Sequence, residues 1–262
     1  MRRKSVFVAA LALALWAGGP AAQEGRPPPG APGQAPSTEA RSPPLRGDPA
    51  EAVVVIFNHG TTRPQRRHAC NEGGDVPGVV REIAEANRWT LYYLCSAATD
   101  ESEAGSYTRK RAAEILAVVA AYRARGVAAK RIFLFGHSAG GWSSLMAARK
   151  DHGGFNAIVA FAPAFAGPRH ETARYPWWRG RLAPEQIAYL RQAPRIEALI
   201  FAYSDDEFDR PAELAPLESI PGIRILAFDA CNRGHGTTYT DCFRAGARVE
   251  IEHYLKERLA AR

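Results

Sequence analysis

The chain has little of what would commit it to a membrane, to nucleic acid or to a metal. Its N-terminal apolar run, residues 5–16, falls short of the ~20 residues that a comfortable membrane span needs. It has no blocks of Lys and Arg interleaved with aromatics. The formal net charge of +7, three units of which come from Arg2, Arg3 and Lys4, therefore does not argue for a nucleic-acid partner. Cysteine is scarce, and the spacings of Cys70, Cys95, Cys231 and Cys242 do not make a zinc site. No cysteine stands near the end of the apolar run, which speaks against a lipid-anchored protein. There is no internal repeat.

What is present at the N-terminus reads as an export signal. Met1-Arg2-Arg3-Lys4 is a basic start, residues 5–16 are apolar, and Gly18-Gly19-Pro20-Ala21-Ala22 offers small residues with a cleavage point after Ala22. Residues 1–22 are thus expected to be a secretory signal peptide, and the protein to be secreted or periplasmic, with no stable membrane insertion after cleavage. Residues 23–50 are dominated by Pro, Gly, Ala and Ser and cannot bury a core, so they read as a disordered tether. Residues 51–262 suit one α/β domain. An even number of cysteines in an exported chain favours two disulfides out of three possible pairings. Cys231–Cys242, closing a short loop, and Cys70–Cys95 are the preferred pair.

Within the domain, apolar runs alternate with helical patterns. Strands are expected at 52–57, 89–94, 132–135, 155–161, 196–203 and 223–228. Helices are expected at 78–87, with Val79, Val80, Ile83 and Ala86 on one face, and at 107–125, with Ile115, Val118, Val119 and Tyr122 inward. Further helices are expected at 143–150, 211–217 and 245–259, while 165–189 reads as irregular. Such alternation implies a mostly parallel central sheet with helices on both faces, and ligands bound at the carboxyl ends of the strands.

The most informative stretch is Gly136-His137-Ser138-Ala139-Gly140-Gly141. It lies between an apolar strand and a helix, the setting that a G-x-S-x-G nucleophile turn requires. A serine hydroxyl attacks only if it is exposed and close to a base. A sharp turn puts Ser138 on a tip, and side chains at 136 and 140 would collide with the neighbouring strand and helix. The Ala139 amide then sits at a helix N-terminus, where it can face a developing oxyanion.

With Asn58-His59-Gly60 after an early strand, this turn, an acid after a later strand and Gly234-His235-Gly236 near the end, the chain resembles the α/β-hydrolase superfamily over most of 51–262. Its small size and lack of a large cap insertion are similar to dienelactone-hydrolase-like proteins and small secreted serine esterases. Dienelactone hydrolase itself has a cysteine nucleophile where this chain has Ser138. The resemblance implies the chain order Ser, Asp, His. His235 is then the general base, in preference to the other six histidines. The acid follows the strand at 196–203. Related proteins often carry Gly-x-x-Asp there, and Tyr203-Ser204-Asp205-Asp206 fits with Tyr in place of Gly, favouring Asp206 with Asp205 as the alternative. The second oxyanion amide is expected just after His59-Gly60, at Thr61 first and Thr62 next.

His59 and His137 flank the site as candidate substrate contacts. Trp177 and Trp178, with Tyr175 and Tyr189, are candidate pocket walls or ordinary packing. Arg63, Arg66, Arg67 and His68 read as a solvated basic loop. The expected function is cleavage of a small-molecule carboxylic ester through a Ser138–His235–Asp206 triad and an acyl-enzyme, with no metal or organic cofactor. A peptidase or acyltransferase using the same triad, and a non-catalytic binding protein on the same scaffold, remain open alternatives.

Overall fold

The computed structural model describes residues 44–60, 76–96, 98 and 106–261. The expected signal peptide, most of the expected tether, and Thr61, Thr62, Arg63, Arg66, Arg67, His68 and Cys70 lie outside the described residues.

The apolar runs become six strands: β1 (Val54–Asn58), β2 (Thr90–Leu94), β3 (Ile132–His137), β4 (Ala157–Phe161), β5 (Ala198–Ala202) and β6 (Ile223–Ala227). They form one sheet in the order β2-β1-β3-β4-β5-β6, and every pairing is parallel. All residues of β1, β3, β4 and β5 are buried. A parallel strand covered on both faces has no polar side, which is why these segments read as continuous apolar runs rather than as alternation.

Helices cover both faces. On one face α1 (Gly78–Ala86) and the closing helix α6 (Asp241–Ala260) bring Val79, Ile83, Phe243 and Ile251 against Val55, Phe133, Phe135 and Phe201. On the other, α2 (Ser106–Ala124), α3 (Ala139–Lys150) and α4 (Ala183–Leu190) bring Ile115, Val119, Leu145 and Ile187 against Ile56, Leu134, Ile158 and Ile200. Each such side chain contributes roughly 1.5–3 kcal/mol by leaving water. A short α5 (Pro211–Leu214) precedes β6.

The chain runs from β1 to β2 at one edge and then returns to β3 on the other side of β1. The direction of winding reverses between β1 and β3, and a crevice opens there beyond the carboxyl ends of the strands. The segments after β1 and β3 are Asn58-His59-Gly60 and Ser138, so the fold brings them side by side.

Besides shifts of a few residues at element ends, such as α3 starting at Ala139 rather than 143, two segments differ in kind from the sequence reading. The segment 165–189 is not irregular throughout: it holds a 3-10 turn (Arg169–Glu171), a π turn (Trp178–Leu182) and then α4. Pro184 lies in the first turn of α4, where its missing N–H costs nothing, and Ile187 and Leu190 are buried. The two Trp and the π turn obscure the 3.6-residue period upstream. Residues 44–50, placed by composition in the tether, pack on the domain. The Arg46 amide donates to Thr90 Oγ1 at 2.9 Å, the Tyr122 hydroxyl donates to the Pro44 carbonyl at 3.3 Å, and Leu45 packs on the core.

A chain starting at residue 51 is therefore expected to be about 1–3 kcal/mol less stable than one starting at residue 44. Urea denaturation of the two forms checks this, and coincident midpoints would show that the docked segment contributes nothing.

Candidate active site

Ser138 adopts φ 53° and ψ −124°, outside the ordinary regions for an L-residue, at a strain of order 1–3 kcal/mol. The two glycines make the turn possible. A Cβ at 136 would lie 2.5 Å from the Gly141 nitrogen, and one at 140 would lie 1.9 Å from the Asn58 carbonyl oxygen. The turn is held by the Ser138 amide, which donates to the Phe161 carbonyl at 2.9 Å, and by the Ser138 carbonyl, which accepts from Trp142 and Ala164 at 3.0 and 3.2 Å. Ala139 opens α3, so its N–H has no acceptor within the helix.

His235 stands in a 3-10 segment, Gly234–Tyr239, after β6. Its Nδ1 lies 2.9 and 3.1 Å from the two carboxylate oxygens of Asp206, whose side chain is 0 % exposed. The carboxylate only accepts, so Nδ1 carries the proton and Nε2 the lone pair. That Nε2 is buried and has no hydrogen-bond partner. Asp206 follows β5, and its Oδ1 also accepts from the Phe208 amide at 2.7 Å. The Phe208 ring lies 4.1 Å from the His235 ring, centroid to centroid.

Asp205, the alternative acid, does different work. Its Oδ2 accepts from the Gly234 amide at 2.7 Å, while Glu207 Oε2 accepts from the His235 amide at 3.3 Å. The two carboxylates flanking Asp206 in sequence thus hold the backbone that carries His235. Glu207 was not among the residues singled out from sequence, because an acid in a loop reads as solvated.

The two neighbouring histidines are structural. His137 is buried, and its Nε2 donates to the His235 carbonyl at 2.9 Å, docking the loop that carries His235 on the Ser138 turn. Burial, and then the nearby His235 ring, push the His137 imidazole down to about 3, so it is neutral at pH 7. His59 has both ring nitrogens occupied: the Ser96 amide donates to Nε2 at 3.1 Å, and Nδ1 therefore donates to the Gly60 carbonyl. With both nitrogens engaged, His59 has none left for the substrate contact expected of it. Gly60 itself abuts the nucleophile, since a Cβ there would lie 3.3 Å from Ser138 Cβ.

Trp178 is buried, stacked on Tyr175 at 4.2 Å and close against Gly167. Trp177 is 44 % exposed and lies edge-on to Tyr175 at 5.4 Å. A cavity of about 210 Å³ lies behind the acid loop, bounded by Trp142, Phe165, Arg179, Ile187, Asp209 and Leu214. Burial pushes the Asp209 carboxyl up to about 6, against the pull of Arg179 at 3.5 Å.

With this geometry in place, the likeness to known proteins can be stated. The family model Esterase, described as "Putative esterase", matches residues 78–212. The chain belongs to this esterase family. No curated protein matches its sequence. Among solved structures, it is similar to Est1E from Butyrivibrio proteoclasticus with ferulic acid bound (TM-score 0.54, 16% identity, covering 82% of this chain and 92% of that one). It is also similar to naproxen esterase (carboxylesterase NP) from Bacillus subtilis (TM-score 0.52, 12% identity, 78% and 84% covered). A third likeness is to a phospholipase/carboxylesterase from Dyadobacter fermentans (TM-score 0.53, 16% identity, 78% and 90% covered). At these identities the structures show the fold, which is that of an α/β-hydrolase, and the family match makes this esterase a carboxylic ester hydrolase.

The esterase also has a disulfide, Cys231–Cys242, that closes the loop carrying His235. Cys95 is disulfide-bonded as well, while Cys70, its expected partner, lies outside the described residues.

Two outcomes are expected here. Unfolded His137 protonates near 6.5, while the folded residue does so only at about 3. Its contribution to stability is complete above pH 6.5 and is lost as pH falls toward 3, by up to ~5 kcal/mol. Thermal midpoints measured from pH 7 to pH 4 should fall less steeply in His137→Gln; an unchanged slope would sink the assignment. The double substitution Cys231→Ser with Cys242→Ser is expected to cost about 2–3 kcal/mol of stability. It should also lower ester turnover, and calorimetry with a turnover assay checks both.

Proposed function

We propose that this esterase is an exported serine hydrolase that cleaves a small carboxylic ester through a Ser138–His235–Asp206 triad and an acyl-enzyme. The observation that carries the reading is the buried Asp206–His235 pair, whose unpartnered Nε2 belongs to a loop tied by His137 to the strained Ser138 turn. A buried lone pair without a donor is costly unless a hydroxyl proton comes to it.

In this reading His235 Nε2 takes the proton of Ser138 Oγ as the oxygen attacks the ester carbonyl carbon. Negative charge gathers on the carbonyl oxygen, met by the Ala139 amide and by the amide of Thr61, which lies outside the described residues. The intermediate collapses, the ester C–O bond breaks, and the alcohol leaves with the proton that His235 returns. Water then repeats the sequence on the acyl-enzyme and releases the acid. Asp206 stays ionised, fixing the tautomer of His235 and stabilising its cation. In this reading exposed Trp177 walls the acyl or alcohol side. The disulfide Cys231–Cys242 suits an oxidising compartment, in keeping with residues 1–22 as a secretory signal.

A fluorophosphonate probe followed by peptide mass spectrometry is expected to label Ser138 in the wild type and not in His235→Ala. Folded wild-type protein that takes no label would overturn the reading. Asp206→Asn is expected to lower kcat by about 10²–10⁴-fold, and Asp205→Asn by less than about tenfold. Equal losses would reassign the acid.

A further inference from the structure

One buried charge has no part in this mechanism. Arg111, on α2, is 2 % exposed, a position where arginine is rarely found unless paired. Among the described residues no carboxylate bonds it, although Glu114, three positions on, is near enough to act on it through space. Its donors go to backbone carbonyls instead. Nε reaches the Ala98 carbonyl at 2.8 Å, and Nη1 reaches that of His59 at 2.7 Å and, more distantly, that of Gly60 at 3.5 Å. Nη2 is buried with no partner.

These carbonyls belong to the segments that follow β1 and β2 at the mouth of the crevice. Gly60 abuts Ser138. On its other side the guanidinium lies 5.7 Å from the Tyr107 ring, and Tyr107 packs with Ala98 and Ala139 in one small cluster. Arg111 is thus one peptide away from Ser138 by one route and one ring away from the Ala139 amide by the other.

We propose that Arg111 is a positioning residue for the oxyanion hole, holding the His59–Gly60 backbone against Ser138 and setting a positive field behind the developing negative charge. The inference rests on the reading of Ser138 as nucleophile. Any neutral donor could bind one carbonyl. A planar fork of donors suits several, and lysine, a point donor, cannot copy it. Burying a full charge without a bonded carboxylate destabilises the fold, and the compensating use is electrostatic: in a site shielded from water, a fixed cation acts strongly on charge that forms nearby.

The test is hydrolysis of p-nitrophenyl acetate by wild type, Arg111→Gln and Arg111→Lys, with Ser138 labelling by the fluorophosphonate alongside. Arg111→Gln is expected to lower kcat by on the order of 10²-fold with KM within about threefold. Arg111→Lys, which keeps the charge, is expected to recover about tenfold of that loss. Binding of a phenylboronic acid, a mimic of the tetrahedral intermediate, should weaken in step with kcat/KM. An active wild type with Arg111→Gln retaining kcat within threefold overturns the proposal alone, as does a lysine variant no better than glutamine. A folded wild type that neither labels nor turns over overturns the nucleophile reading, and this proposal with it. If Arg111→Gln does not fold, Arg111→Lys decides: a tenfold fall in kcat at unchanged KM supports the role, and wild-type kcat removes it.

Discussion

The close approach of α3 to the end of β1 is the constraint on which the site depends. At position 140 there is no room for even one carbon beyond Cα, because the Asn58 carbonyl oxygen occupies that space. Asn58 pairs with Gly136 in the sheet, so the same strand pairing that builds the core also presses the nucleophile turn from below. Ser138 takes up the strain as a positive φ. The strain is tolerated because its amide and carbonyl are bonded to Phe161, Trp142 and Ala164, all in well-buried surroundings. Loosening any of these contacts would let the serine relax into an ordinary loop conformation and turn its hydroxyl away.

The rest of the site is arranged as an allotment of charge in a poorly solvated space. Asp206 gives its carboxylate to His235, while Asp205 and Glu207 give theirs to the backbone of the loop that His235 occupies. His137, the side chain beside the nucleophile, is kept neutral by burial and serves only as a hydrogen-bond donor. The positive charge of Arg111 is spent on backbone carbonyls, those of His59 and Gly60.

Much of this was legible in the linear order of residues. The four central strands, β1, β3, β4 and β5, are buried on both faces, so each reads as a mainly apolar run, and such runs are visible without partners. The turn at Ser138 is legible because its steric demands fall two residues to either side of it, on Gly136 and Gly140. His235 and Asp206 were reached through the order of a resembled family, and the structure joins the two through Nδ1. The first turn of α3 was less visible, because Gly140 and Gly141 are poor helix formers and only packing on β1 decides for helix. Helix α4 was hidden by the π turn and two tryptophans before it.

The sequence by itself determined the alternation of strands and helices, the parallel sheet and the place of the serine on its strand-to-helix turn, since these follow from local pattern and local sterics. Only the tertiary structure decided what the other polar residues do. Asp205, Glu207, His59 and His137 hold backbone groups around the site, and Arg111, to which the sequence drew no attention, is a buried clamp on two backbone segments. A hydrogen-bond partner that lies tens of residues away leaves no trace in the residues beside it, and which polar group ends up out of water is settled only when the helices close over the sheet.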